Sequence, residues 1–304
     1  MGIGLRVTIF GRPSGPYNAM MASFALLVPI VVGAVTVVSA ERSARRTWGY
    51  YFWAASGANA LCVLIALAIT IEGMICVILA LPLFVVVGGI SGVVTGFVCR
   101  QLDNPHGSLY GIAVFPLLLG GIESQLPLPQ TALSQERVLV VAAPRAVLWQ
   151  QLMIARDIQP EEMSQAWMYR IGVPLPKSAV TERRDGSLIR HIEMGKSIHF
   201  DQVATEWVPD TRVHWTYTFS KDSFPPRALD DHVRIGGTYF DVLDTEYALS
   251  DVPGGTELRV TMRYRVSTNF NWYVRPIAAF LVGNFEYAAL HFYARRAEGA
   301  GSLG

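Results

Sequence analysis

Residues 236–268, GGTYFDVLDTEYALSDVPGGTELRVTMRYRVST, read as two long strands meeting at a tight reversal. Gly254 and Gly255 supply the positive φ that the reversal needs, and alternating apolar and polar residues flank them on both sides. In the second strand Leu258, Val260, Met262, Tyr264 and Val266 share one face, and Glu257, Arg259, Thr261, Arg263 and Arg265 share the other. One face is therefore core, and the other meets water.

The period changes after this hairpin. From Trp272 to Arg296 there is almost no charge until the last turn, where Arg295 and Arg296 suit the negative end of a helix dipole. About 25 helical residues make a rod of about 38 Å. A helix apolar nearly all round must be covered on most sides. The cover available is a strongly curved antiparallel sheet, so the C-terminal part is expected to be an α+β helix-grip domain, with the sheet wrapped around a long C-terminal helix.

The chain has 304 residues, room for about two domains, and its apolar residues are unevenly spread. With 51% hydrophobic and 16% charged residues and a mean hydropathy of +0.32, it is too apolar for an ordinary soluble protein. The excess sits before Glu123. A net charge of +1 without a long basic run gives no footprint for nucleic acid. Cys62, Cys76 and Cys99 lie in apolar stretches with no CxxC and no histidine at ligand spacing, so they read as small buried hydrophobes.

Upstream of the linker, a short tail (1–16) precedes an α-helical transmembrane region (17–122) of three or four helices. Met20–Ala40, Gly49–Ile71 and Met74–Cys99 are each long enough to span a bilayer, and Pro29 is a candidate kink. The third carries Gly88, Gly89, Ser91, Gly92 and Gly96, a small-residue face of the kind that lets helices approach closely. Gly107–Ile122 is short for a span and contains Pro116, so crossing and a re-entrant or interfacial path both stay open. Arg42, Arg45, Arg46 and Arg100 mark two loops as cytoplasmic by the positive-inside rule. Four crossings then put the C-terminal domain outside the cytoplasm, the reading preferred here, whereas a failed fourth crossing puts it inside. The expected location is an integral position in a membrane, of bacterial cast by composition.

Residues 123–136, with Pro127 and Pro129, read as an extended linker; the domain proper is expected over 137–298, with a tail at 299–304. Arg137–Ala143 reads as a strand running into a helix at Pro144, and a second helical stretch is expected around Gln159–Trp167. Further strands are expected at Ser187–Met194, Ser197–Trp207 and Thr211–Phe219.

This order resembles the SRPBCC or START-like superfamily, the polyketide cyclase/dehydrase and lipid-transport group. The likeness runs through VLVVAAP into a helix bearing Trp149, GVPLP (172–176), Glu206 and Trp207 followed by Pro209, HVRIGGTYFDVL (232–243), YRVSTNFNWY (264–273) and RRAE (295–298). It is most similar to a membrane-anchored bacterial branch and covers roughly Arg137 to Glu298. The resemblance implies an apolar ligand held between sheet and C-terminal helix, in proteins of which only some are enzymes. No catalytic set, metal or nucleotide motif is carried over from it.

Candidate site residues follow from alternation. If Leu188, Ile192 and Met194 face the core, Arg190 does too, where it would suit a carboxylate or phosphate; the plainer alternative is an arginine reaching to the rim. Tyr239, Asp241, Leu243, Tyr247 and Leu249 share a face of the first hairpin strand, which makes an inward Asp241 and an Arg190–Asp241 pair conceivable. Trp215, Tyr217 and Tyr264 fall on inward faces, as core aromatics or as ligand contacts. Of the five histidines in this domain, His191 and His214 fall on outward faces. His232 could lean over a pocket mouth, and His291 lies on the helix four residues from Tyr287. The catalytic candidates are Arg190, Asp241 and His232; the ligand-binding candidates are Arg190, Trp215, Tyr217, Tyr239, Asp241, Tyr247, Tyr264, Tyr287 and His291. No HxxxH, HxH or HExxH spacing supports a metal, and no cofactor motif is present.

Three functions fit. The first is a membrane-anchored domain that binds a lipid, isoprenoid or polyketide-like molecule. The second is a cyclase/dehydrase-type enzyme, with catalysis left open. The third is a non-catalytic interaction protein whose transmembrane region assembles with partners, a homo-oligomer among them, through the glycine-rich third helix while the C-terminal domain scaffolds. Expected partners are membrane lipids and a hydrophobic small molecule.

Overall fold

Three helices long and apolar enough to cross a membrane lead the chain: α1 (Ser23–Glu41), α2 (Trp48–Ala68) and α3 (Met74–Gln101). The structure is a computed structural model describing residues 20–68, 74–101, 119–123, 125–230 and 232–301. The N-terminal tail and most of the fourth apolar run, apart from helical residues 119–123, lie outside the described residues. The chain divides into two compact units, Met1–Pro129 with Thr268–Phe270, and Gln130–Ser267 with Asn271–Gly304.

In the first unit α1 opens with a π turn over Ser23–Leu27, directly before Pro29, whose missing N–H would otherwise break the helical ladder. The Glu123 carboxylate accepts the Ala22 and Ser23 N–H groups at 2.6 and 2.8 Å, an acid at the positive end of the helix. At the other end of α1, Tyr51 donates to Glu41 at 2.9 Å, and Arg100 donates to the Tyr51 hydroxyl and the Arg46 carbonyl. Glu123 and Gln101 therefore lie at opposite ends of this helical unit. The small-residue face of α3 is buried. A Cβ at Gly92 would sit 2.4 Å from the Tyr51 carbonyl oxygen, and Ser91 donates to the Ile30 carbonyl at 2.7 Å. The sequence offered this face to a partner; in the structure the chain's own α1 and α2 occupy it.

The second unit is one eight-stranded antiparallel sheet, built from β1 (Gln130–Val141), β2 (Ile154–Ala155), β3 (Pro176–Arg184), β4 (Ser187–Met194), β5 (His199–Val208), β6 (Arg212–Thr218), β7 (Phe240–Val252) and β8 (Gly255–Ser267). Its order is β1-β8-β7-β6-β5-β4-β3-β2. The sheet curls as a half-barrel, and α4 (Arg145–Met153), the one-turn α5 (Pro160–Met163) and α6 (Trp167–Arg170), and the 31-residue α7 (Asn271–Gly301) complete it. This is a helix-grip fold.

Two boundaries differ from the sequence reading. β1 begins at Gln130 and pairs with β8 from Gln130↔Ser267 to Val141↔Thr256, so half of the expected linker is edge strand. β3 was not anticipated, because PKSAVTERR is polar and opens with proline.

The hairpin forms as read. Gly254 and Gly255 have φ of 93° and 152°, and a Cβ at Gly255 would lie 2.0 Å from the Val141 carbonyl oxygen. Leu258, Val260, Met262, Tyr264 and Val266 are all buried. In β7, however, Val242 pairs with Tyr264 and Asp244 with Arg263, which leaves Leu243 as a bulge residue. One extra residue inverts the phase of the strand.

Candidate functional site

Arg190 enters the interior from β4, on the same face as Leu188, and is only 3% exposed. Its Nη2 donates to the Tyr293 hydroxyl of α7, and its Nη1 lies 3.5 Å from Gln202 Oε1 on β5. The guanidinium stands 6.0 Å from the Trp215 ring and 5.9 Å from the Tyr293 ring, within cation–π range. Among the described residues no carboxylate lies within ion-pair distance of it, and neither its Nε nor Trp215 Nε1 has a hydrogen-bond partner. An arginine cannot shed its charge in a protein, so this is a buried cation facing tyrosine, glutamine and tryptophan. Such a site suits an anion.

The surrounding aromatics belong to β6, β7 and α7. Tyr217 shares a 2.7 Å hydrogen bond with Thr245, and Tyr247 meets Tyr293 edge to face at 5.9 Å. Burial raises the phenol pKa of both Tyr217 and Tyr247, and for Tyr247 the neighbouring Tyr293 adds to it. These hydroxyls remain neutral donors across the physiological range. Tyr264, at 1% exposure, completes the inner set from β8.

The bulge at Leu243 corrects the reading of Asp241. It lies on the outer face, where it accepts the Gly236 N–H at 2.7 Å and stands 3.8 Å from Arg265. The Arg190–Asp241 pair does not form. The inward residues around the bulge are Val242, Thr245 and Tyr247 instead. Tyr287 and His291 are also corrected: Tyr287 is 46% exposed, its ring centroid is 4.0 Å from that of His291, and His291 Nδ1 donates to the Tyr287 carbonyl at 2.8 Å. This pair forms an outward patch on α7. Tyr239 is buried against His232 at 5.6 Å, and His232 is bound to Asp230 through its backbone N–H and Nδ1.

Two site residues went unread in the sequence, both on α7. Tyr293 is the direct partner of Arg190. Glu286 is wholly buried; the Met262 backbone N–H acts on its carboxylate, but among the described residues no donor meets either oxygen in good hydrogen-bonding geometry. Burial pushes its carboxyl up to about 7, against a partial lowering by Arg137 and by the Met262 backbone. Its signal was present in the sequence as the one acid in the apolar run Ile277–Ala294.

The residues of the closing RRAE stretch turn out to be clamps. Arg296 makes two 2.7 Å hydrogen bonds to Glu162, which hold that carboxyl below the usual glutamate range, and a third to the Arg156 carbonyl at 2.9 Å. Glu298 accepts the Ala142 N–H at 3.1 Å.

No protein-family model and no curated protein matches the chain. Among solved structures it is similar to the di-domain ARO/CYC StfQ from the steffimycin biosynthetic pathway, at 12% identity and a TM-score of 0.35 over 65% of this chain and 60% of that one. It is similar to the Zhui aromatase/cyclase from Streptomyces sp. R1128 at 11% identity and a TM-score of 0.33, over 55% of this chain and 94% of that one. For a START superfamily protein from Mycobacterium smegmatis the values are 14%, 0.36, 55% and 98%. The chain thus spans 60% of the length of each of two di-domain ARO/CYC structures. The helix-grip assignment itself rests on the strand order and on α7.

Proposed function

We propose that the C-terminal unit binds an apolar small molecule bearing an acidic group, with the acid on Arg190 and the apolar body between the sheet and α7. The observation that carries this reading is the buried Arg190 guanidinium with no carboxylate beside it among the described residues. Taking such a charge out of water costs several kcal/mol, and a ligand carboxylate, phosphate or sulfonate would offset that cost through charge-assisted hydrogen bonds. The ring faces of Trp215 and Tyr293 and the neutral phenols of Tyr217 and Tyr247 suit an aromatic or polyene body. Three helices fit to span a bilayer in the same chain support a ligand drawn from, or delivered to, a membrane.

The enzyme reading built on Arg190, Asp241 and His232 loses Asp241 to the outer face, so binding is the better-supported function. The test is native mass spectrometry and solvent extraction of the full-length protein and of Arg190→Met, both purified from membranes. The expected result is an acidic apolar molecule at about one per chain in the wild type and none in the variant. A wild type without one, or equal loading of the two, overturns the proposal.

A further inference from the structure

Glu286 is the buried titratable group that the anion site leaves unexplained. It lies seven residues before Tyr293 on α7, two helical turns, so both side chains leave the same face of the helix about 10 Å apart. Tyr293 reaches Arg190 from that face, which therefore looks into the interior. Leu290, between them, is buried. On the sheet side, Tyr247 interacts electrostatically with both Arg190 and Glu286, and Tyr264 with Glu286. The charged group facing Glu286 from the packed strands is Arg137 of β1, which makes no ion pair or hydrogen bond with it, while Glu136 turns to the outer face and pairs with Arg259. A wholly buried carboxyl whose oxygens meet only the distant Met262 N–H is costly unless something hydrogen-bonds it.

We infer that Glu286 is the second pole of the interior binding site: a buried carboxyl that donates a hydrogen bond to a carbonyl of the ligand, two helical turns along α7 from Tyr293, whose hydroxyl meets Arg190. This rests on the anion-binding reading of Arg190 and narrows it to one substrate class. The ligand is an extended apolar acid with a keto or similar acceptor remote from its acidic group. A simple fatty acid satisfies one pole and leaves the other bare.

The experiment uses two probes and the full-length protein in nanodiscs. One probe is naphthoate; the other is naphthoate carrying an acetyl group at the opposite end of its ring pair. Tryptophan quenching reads binding, with empty nanodiscs as blank. At about pH 6 the acetyl compound is expected to bind roughly five- to tenfold more tightly than naphthoate, the worth of one buried hydrogen bond. At about pH 9, where the carboxyl has lost its proton, that advantage disappears. Glu286→Leu removes it at both pH values, whereas Glu286→Gln, whose amide donates regardless of pH, keeps it at both. Naphthoate itself binds all three proteins equally and is lost in Arg190→Met. If naphthoate binds in an Arg190-dependent way but the acetyl group adds nothing, the role of Glu286 is overturned and the anion site stands. If neither probe depends on Arg190, both fail. Thermal unfolding of the ligand-free variants checks their folding, and Glu286→Leu is expected to melt higher than wild type; a lower melting point would mark Glu286 as a structural group and overturn the inference.

Discussion

At the scale of single residues, the two buried ionisable groups Arg190 and Glu286 lead to predictions in stability. Arg190 is a charge that the ligand-free protein carries at a loss, so replacing it by an apolar side chain of similar length relieves that loss. Arg190→Met is expected to stabilise the empty protein by about 1–4 kcal/mol, as replacement of buried charges by hydrophobes often does. Parallel unfolding curves and loading measurements check this; a destabilised variant would mean that the Tyr293 and Gln202 contacts, and not a ligand, are the reason for the arginine. Glu286 makes a prediction in pH. Its folded value, about 7, lies above the ordinary 4.5, so between those values the folded state holds a proton that the unfolded state has released. Stability is therefore full below about pH 4.5 and falls as pH rises through about 7, by up to about 3 kcal/mol. Glu286→Gln is expected to flatten this slope in urea titrations taken at successive pH values. Asp244 works in the opposite direction. Burial would raise its carboxyl, but hydrogen bonds from Arg263 and His214 outweigh burial and hold it below 3.8. Its contribution is present above that value and lost in stronger acid.

At the scale of elements, what the sequence disclosed depended on whether a period ran unbroken. β8 alternates without interruption for thirteen residues, and each inward residue read from it is buried. β4 likewise delivered Arg190 to the interior by counting in twos from Leu188. β7 failed at one residue: a bulge has no signature in a two-residue period, and Asp241 was carried to the wrong face. On α7 the difficulty was different, because a helix apolar on all sides gives no moment to say which residues look inward. There the single acid Glu286 was the better guide, and its seven-residue spacing from Tyr293 would have placed both on one face. The end of α7 provides an element-scale prediction. Arg296 spans α7, Glu162 and the Arg156 carbonyl through a planar fork, and only about a fifth to a quarter of either charged side chain is exposed. Arg296→Ala is expected to cost about 2–3 kcal/mol. Arg296→Lys should recover less than half of that, since an ammonium cannot hold both carboxylate oxygens and the carbonyl in one geometry. Full rescue by lysine in thermal melts would show that charge alone matters there.

At the scale of the whole molecule, the capping of α1 by Glu123 bears on sidedness. Arg42, Arg45 and Arg46, after α1, and Arg100, in the last turn of α3, sit at the end of the helical unit where Tyr51 meets Glu41. Glu123, from which the chain leads into β1, sits at the other end, on the first amides of α1. If the three helices span a membrane and the arginines stay in the cytoplasm, as the positive-inside rule predicts, then the chain is expected to emerge on the far side and the second unit to lie outside the cytoplasm. A cysteine at Asp185, in the exposed turn between β3 and β4, and another at Ser43, in the turn after α1, separate the two orientations. With a membrane-impermeant maleimide, Asp185→Cys is expected to label in intact cells and Ser43→Cys only after lysis. The three native cysteines, Cys62, Cys76 and Cys99, are in α2 and α3, and the unsubstituted protein gives their background. The reverse labelling pattern would put the domain in the cytoplasm, and the ligand would then have to come from the inner leaflet or from cytoplasmic metabolism. Labelling of both sites in intact cells would mean that α1 does not separate them, which conflicts with nineteen residues of mean hydropathy 2.3 between Ser23 and Glu41.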